Sequence, residues 1–264
     1  MFQIIGVLGQ SNTGKDVVAD WFYRKGFIKL AFSDPMKRYA RDLFDYEPLQ
    51  LWGPSEERNK ELVANDPWWM KVVSNWGKAT NKFVNELFVH TFSNGHVGRT
   101  DAYLSLMHWL ADLRRYTQSH AAMLSPRVVL QTLGTEWGRK LDPDLWLNYA
   151  YGRIVPGLKD GRSYDCEYGL YAESTMTGCP GVIITDHRFY NEVLATRKQD
   201  GFVIKLSRPH NPNQKPPGLS GHASEHDQQN SVMPISYELE LPEGLDLVDL
   251  RLQKLWEDHP WRKS

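Results

Sequence analysis

One octapeptide near the start of the chain constrains the fold more than any other feature: Gly9-Gln10-Ser11-Asn12-Thr13-Gly14-Lys15-Asp16. It follows the apolar run Phe2–Leu8, whose length and β-branched content suit a buried strand. It precedes Val17, Val18, Trp21 and Phe22, which recur at helix spacing before Gly26 can stop the helix. A glycine-rich turn between a buried strand and a helix lets successive backbone N–H groups face one anion, and the helix N-terminus adds its dipole. Lys15 can reach the β- and γ-phosphates of a nucleotide. Gln10, Ser11, Asn12, Thr13, Gly14, Lys15 and Asp16 are therefore the expected nucleotide-binding set. Asp16 stands where Ser or Thr is usual. A carboxylate there can hold Mg²⁺ directly or through water, so it is the expected metal residue. Chance alone gives roughly 0.1 such matches in a chain this long, and the strand–helix context reduces that further.

The rest of the chain continues the alternation. Phe27–Phe32 reads as a second strand, with Ser33 or Asp34 as a helix cap and Pro35 in the first turn. Gly181–Asp186 and Phe202–Leu206 are buried-strand signals separated by helix period over 189–200. Tyr237–Leu241 alternates like an edge strand, and Leu245 to about Trp256 reads as a closing helix. This order predicts an α/β fold with a parallel sheet. Residues 46–120, with five tryptophans between Pro and Gly breaks, are expected to be a mostly helical insertion, with one amphipathic helix near 101–117. Ser125-Pro126 opens a helix to about Lys140, and Asp142-Pro143 another to about Ile154. Residues 155–180 read as a long loop, and the Pro-rich 209–221 as an extended one. The 264 residues are expected to form a single domain enlarged by insertions.

Composition narrows the partners. The chain has 31 Lys and Arg against 32 Asp and Glu, and neither half is strongly basic, so stable nucleic-acid binding is not expected. Two cysteines are too few for a disulfide scaffold. No stretch approaches the ~18 apolar residues of a membrane span, so a cytoplasmic protein without membrane contact is expected. His222 and His226 could share a helix face, but local polar contacts explain them more simply than zinc.

Two further clusters carry chemistry. Asp186-His187-Arg188 ends the strand at 181–186, where an acidic residue can organise Mg²⁺ and water and a cation can reach the ligand crevice. The bland alternative is that Asp186 only caps the next helix and Arg188 is solvated. On the helix opened by Ser125, Arg127 and Gln131 lie one turn apart on one face. Gly134 could admit a ligand or a partner helix, and Trp146 could stack on a base. Packing and solvation alone would also account for these residues, and for Lys37 one turn into the helix after the second strand.

Four blocks together resemble the deoxynucleoside monophosphate kinases of bacteriophages. They are Gly9–Asp16 with its Gly-Lys-Asp ending, Gln131-Thr-Leu-Gly134-Thr135 followed by Trp146, Asp186-His-Arg188-Phe-Tyr-Asn191-Glu192, and Arg208-Pro209 with His222-Ala-Ser-Glu225. The resemblance implies a three-layer α/β/α P-loop kinase fold, often dimeric, acting in host cytoplasm on ATP, Mg²⁺ and a dNMP substrate to give dNDP and ADP. By matching position, Lys15, Asp16 and Arg208 would serve ATP and its metal. Lys37, Arg127, Gln131, Gly134, Thr135 and Trp146 would serve the acceptor, with Asp186 between the two. Lys15, Arg188, Asp186 and Arg127 would be catalytic. The nearest alternatives are a kinase of phosphomevalonate or dephospho-coenzyme A type and, from another class, an ATP-driven nucleic-acid-associated NTPase.

Overall fold

The computed structural model describes residues 2–10, 13–88, 98–172, 179–208, 233–242 and 244–258. In chain order the elements begin with β1 (Gln3–Leu8), α1 (Lys15–Arg24), β2 (Ile28–Leu30), α2 (Asp34–Phe44), α3 (Pro48–Trp52) and α4 (Ser55–Asn59). Next come β3 (Leu62–Val63), α5 (Asp66–Phe88), α6 (Arg99–Ser119), β4 (Met123–Leu124) and α7 (Pro126–Gln131). A π-helical segment (Thr132–Arg139), α8 (Leu145–Tyr149), a second π segment (Ala150–Ile154) and α9 (Val155–Lys159) follow. The chain continues through β5 (Ser163–Asp165), β6 (Gly169–Tyr171), β7 (Gly181–His187), α10 (Tyr190–Lys198), β8 (Phe202–Ser207), β9 (Tyr237–Glu240) and α11 (Leu245–Asp258). These elements divide into two compact units, one of Met1–Phe32, Gly157–Cys166 and Tyr171–Ser264, the other of Ser33–Pro156 and Glu167–Leu170.

The first unit is built on a five-stranded sheet in the order β2-β7-β1-β8-β9, with every pairing parallel. Strand alternation sorts its side chains into two layers. Ile5 and Val7, with Ile183, Ile204 and Leu206, pack on Val18, Trp21 and Phe22 of α1 and on Val248, Leu252 and Leu255 of α11. Leu8 and Val203 face the other way and pack on Val193 of α10. Helices on both faces of a parallel sheet make the expected three-layer α/β/α arrangement. The tryptophan near the chain's end closes this core: Trp256 lies edge-on to Trp21, Phe22 and Phe27 at 5.9–6.1 Å between ring centroids. β9 is an edge strand, as its alternation predicts, and β2 forms the opposite edge.

The second unit is mostly helical and dense in aromatics. Tyr39 stacks on Phe83 at 4.2 Å, and Phe44 on Trp68 at 5.4 Å. A buried ionic cluster ties its helices together. Arg38, only 2% exposed, donates from Nη2 to Glu86 Oε1 at 2.8 Å and to Tyr149 Oη at 2.7 Å. Burial keeps the Tyr149 phenol protonated, so its hydroxyl can donate to Glu86 at 2.5 Å. α2, α5 and α8 are thereby joined through residues 48 and 111 positions apart.

Two expectations change. Ser125 caps α7 as predicted, its Oγ accepting from the Val128 amide at 3.3 Å, but the regular helix ends at Gln131 and widens into the π segment. The widening coincides with two close approaches. A Cβ on Gly138 would lie 2.2 Å from the Trp146 ring, and one on Gly134 would lie 3.0 Å from Met36 Sδ. The segment 155–180, expected as a long loop, contains α9 and the short strands β5 and β6, with the helix leaving through Gly161 at a φ of 84°. Among the described residues no helix is long and apolar enough to cross a membrane.

Candidate functional site

In the first unit, three predicted clusters meet because β7, β1 and β8 are neighbours in a parallel sheet, so their C-terminal ends share one rim. Gly9–Asp16 leaves β1, Asp186 to Arg188 spans the end of β7, and Arg208 follows β8. The loop needs both glycines. A Cβ on Gly9 would meet Thr13 Oγ1 at 2.6 Å, and Gly14 sits at a φ of 95°, a left-handed conformation that L side chains rarely adopt. Lys15 Nζ folds back onto the loop, donating to the carbonyls of Gly9 at 2.7 Å and Gln10 at 2.6 Å. Thr13 Oγ1 donates to the Gln10 carbonyl at 2.9 Å. Asp16 is exposed in the first turn of α1. Arg208 is also exposed, and its Nη2 lies 3.2 Å from where a Cβ on Gly14 would stand, so its guanidinium overlies the loop. Ser11 and Asn12, like residues 209–232 with His222 and His226, lie outside the described residues.

The turn after β7 is fixed at each residue. Asp186 Oδ1 accepts from the Phe32 amide at 2.8 Å. His187 is fully buried, and its ring occupies the space that a Cβ on Gly6 would need. Its Nε2 lies 2.6 Å from Thr196 Oγ1, which also lies 3.0 Å from the Glu192 carbonyl. Burial drives the His187 pKa down to about 4, against the upward pull of Asp186 and the Ile184 backbone. Glu192 Oε2 accepts from the backbone N–H groups of Arg188 at 2.6 Å and Phe189 at 2.9 Å, covering the start of α10. The Asp186 and Glu192 carboxylates and the His187 Nε2 are thus engaged, whereas the buried His187 Nδ1 has no hydrogen-bond partner among the described residues and the Arg188 side chain is exposed. His187 is a neutral, buried residue of the turn.

The remaining predicted residues lie in the second unit. α2 packs against α7, and α3 and α4 pack against both α7 and one another. Arg127 and Gln131 are half-buried on α7, and Thr135 is half-buried in the π segment. Gly134 is buried and admits Met36 of α2, which is the partner-helix alternative for that glycine. Trp146 is 4% exposed. Its Nε1 donates to the Gly134 carbonyl at 3.1 Å, and its ring packs near Phe83 and Trp137. The structure therefore gives Trp146 a packing place, with no open face for a base, because Gly138 lets the ring into the core.

Lys37 differs from the other cations. Its side chain is only 12% exposed, yet it makes no hydrogen bond to another described residue. The Asp34 carboxylate is 3.8 Å away, and the Trp52 ring centroid 5.7 Å. Asp34 and Trp52 stand outside the residues that the sequence marks as a candidate site. Asp34 read as a helix cap and Trp52 as one of several tryptophans in an insertion. Asp34's proximity to Pro35 was visible, but its pairing with a residue 18 positions on was not.

The sheet, the loop and the rim define a class: a three-layer α/β protein of P-loop kinase-like fold. No family model matches the chain. It is similar to a protein of Acanthamoeba polyphaga mimivirus named "Putative deoxynucleotide monophosphate kinase", at 24% identity over 209 residues, which is 78% of this chain and 74% of that protein. That likeness supports a place among kinases.

Proposed function

We propose that the protein is an ATP-dependent deoxynucleoside monophosphate kinase, transferring the ATP γ-phosphoryl group to a dNMP to give ADP and dNDP. The observation that carries this reading is the shared rim of β7, β1 and β8, where the phosphate loop, Asp186, Arg188 and Arg208 come together. The name of the mimivirus relative agrees with it.

The loop suits a nucleotide's phosphates: Gly14 has the backbone conformation for it, and Lys15 already binds loop carbonyls that a phosphate can replace. For Mg²⁺, the exposed Asp16 carboxylate is a hard oxygen donor at the start of α1, and one or two carboxylates plus substrate phosphates are its usual ligands. When bound, the ion neutralises charge on the phosphate oxygens. The nucleophile is an oxygen of the acceptor phosphate, whose second pKa of about 6 leaves it largely ionised at pH 7. No general base is then needed, and catalysis rests on positioning and on cations around the transferring group. Lys15, Arg188 and Arg208 serve the donor phosphates. Lys37 and Arg127 serve the acceptor, with Gln131 and Thr135 as its polar contacts. The test is direct. ATP and Mg²⁺ are offered with each dNMP and NMP, with phosphomevalonate and with dephospho-coenzyme A, and the product is identified by mass. Formation of a dNDP, lost about a hundredfold or more in Lys15→Ala, is expected. Phosphorylation of another acceptor alone, or ATP hydrolysis stimulated by DNA without nucleotide phosphorylation, overturns the reading.

A further inference from the structure

We propose that Trp52 and Asp34 are positioning residues that hold the Lys37 ammonium ready for the phosphate of the acceptor nucleotide; this rests on the kinase reading above. Three observations within the second unit lead to it. Trp52 Nε1 donates to Asp34 Oδ1 at 3.2 Å, which fixes both the carboxylate and the plane of the indole. The same Asp34 oxygen lies 3.8 Å from Lys37 Nζ, beyond hydrogen-bonding distance. Lys37 Nζ lies over the Trp52 ring, 5.7 Å from its centroid, within cation–π range.

The combination is selective. A carboxylate at 2.8 Å would take up the ammonium and compete with a phosphate. At 3.8 Å, with Asp34 itself 2% exposed, it supplies attraction without a bond. The indole face attracts a cation and accepts no conventional hydrogen bond from it. Lys37 is therefore held in place with its N–H donors unspent on any described residue. A solvated lysine would have to lose side-chain freedom when phosphate arrives, whereas this one has already lost it. α3 supplies Trp52 and packs against both α2, which carries Lys37, and α7, which carries Arg127 and Gln131. This placement also gives one tryptophan of the 46–120 segment a role outside the aromatic core.

The experiment compares the full-length wild type with Trp52→Leu, Trp52→Phe, Lys37→Met and the Lys37→Met/Trp52→Leu double variant. Acceptor and ATP KM are measured by phosphoryl transfer, dNMP affinity by calorimetry, and folding by thermal melting. Trp52→Leu is expected to weaken acceptor binding about tenfold with the ATP KM unchanged. Trp52→Phe, which keeps an aromatic face, should retain most of the affinity and also serves if the Leu variant does not fold. In the Lys37→Met background the Leu substitution should have no further effect, because its action passes through Lys37. An equal loss in both backgrounds overturns the proposal, as does an equal rise in both KM values. Wild type that binds a dNMP but transfers no phosphate ends the kinase reading, while calorimetry still judges the positioning pair. Wild type that binds no dNMP ends both.

Discussion

His187 makes the stability of the first unit depend on pH in a direction that can be worked out. An unfolded histidine takes up its proton near pH 6.5, whereas the buried His187 ring resists protonation down to about pH 4. Between those values the unfolded chain holds one more proton than the folded chain. Stability from this residue is therefore fully present above pH 6.5 and is lost as the pH falls toward 4. The whole span is worth about 3 kcal/mol, and the step from pH 7 to pH 5 about 2 kcal/mol. Other groups also titrate in this range, so the measurement is a difference of differences. Urea unfolding of the full chain is followed by circular dichroism at pH 7 and pH 5, for wild type and for His187→Gln. The variant keeps a hydrogen-bonding group for Thr196 but cannot titrate, so it should lose about 2 kcal/mol less than wild type over the same step. Equal losses in the two proteins would show that His187 is already charged, or accessible to protons, in the folded chain, and would refute the reasoning.

Three further predictions concern the second unit. Glu86→Ala leaves the buried Arg38 guanidinium without its carboxylate and should cost about 3–5 kcal/mol in urea unfolding at pH 7. Gly138→Ala forces a methyl group toward the Trp146 ring and should destabilise by about 1–3 kcal/mol or more. Gly77→Ala, in α5 with open space at the new methyl, should stabilise by about 0.5–1 kcal/mol. Calorimetric melting of this last pair should give shifts of opposite sign.

What the sequence displays and what it hides follow from the range of each interaction. The phosphate loop is legible because its parts are consecutive: a β-branched strand, two glycines, a lysine and an amphipathic helix. The Asp186–Glu192 turn is legible for the same reason, since Glu192 reaches back only three and four residues to cover the amides of Phe189 and Arg188. The parallel sheet follows from the alternation of such local units. The π segment was hidden because apolar residues at 133 and 137 suit an ordinary helix equally well. What distinguishes the segment is that Met36 and Trp146 fill the space left by two glycines, and neither contact is local. Trp146 and Trp52 show the same limit from opposite sides. Both are single indoles near candidate residues, and only tertiary packing puts one in the core and leaves the other half-buried against Lys37.

A formal charge of −1 likewise conceals the cations that matter, because a sum counts every lysine alike. Their partners separate them. Arg24 bonds to Asp249 at 2.9 Å, Lys205 to Glu238 at 3.1 Å and Lys82 to Asp42 at 2.5 Å, so an arriving anion would have to compete with a carboxylate at each. Lys15 bonds to two backbone carbonyls, which are neutral and release it more easily. Lys37 has a carboxylate only at 3.8 Å. A phosphate arriving at Lys37 would have only solvent to displace from the ammonium, not a hydrogen-bonded carboxylate. Among the half-buried lysines, Lys29 and Lys205 are paired with the carboxylates of Asp20 and Glu238, which sets Lys15 and Lys37 apart, one in each unit. A two-substrate transfer needs one cationic site for the donor phosphates and one for the acceptor phosphate.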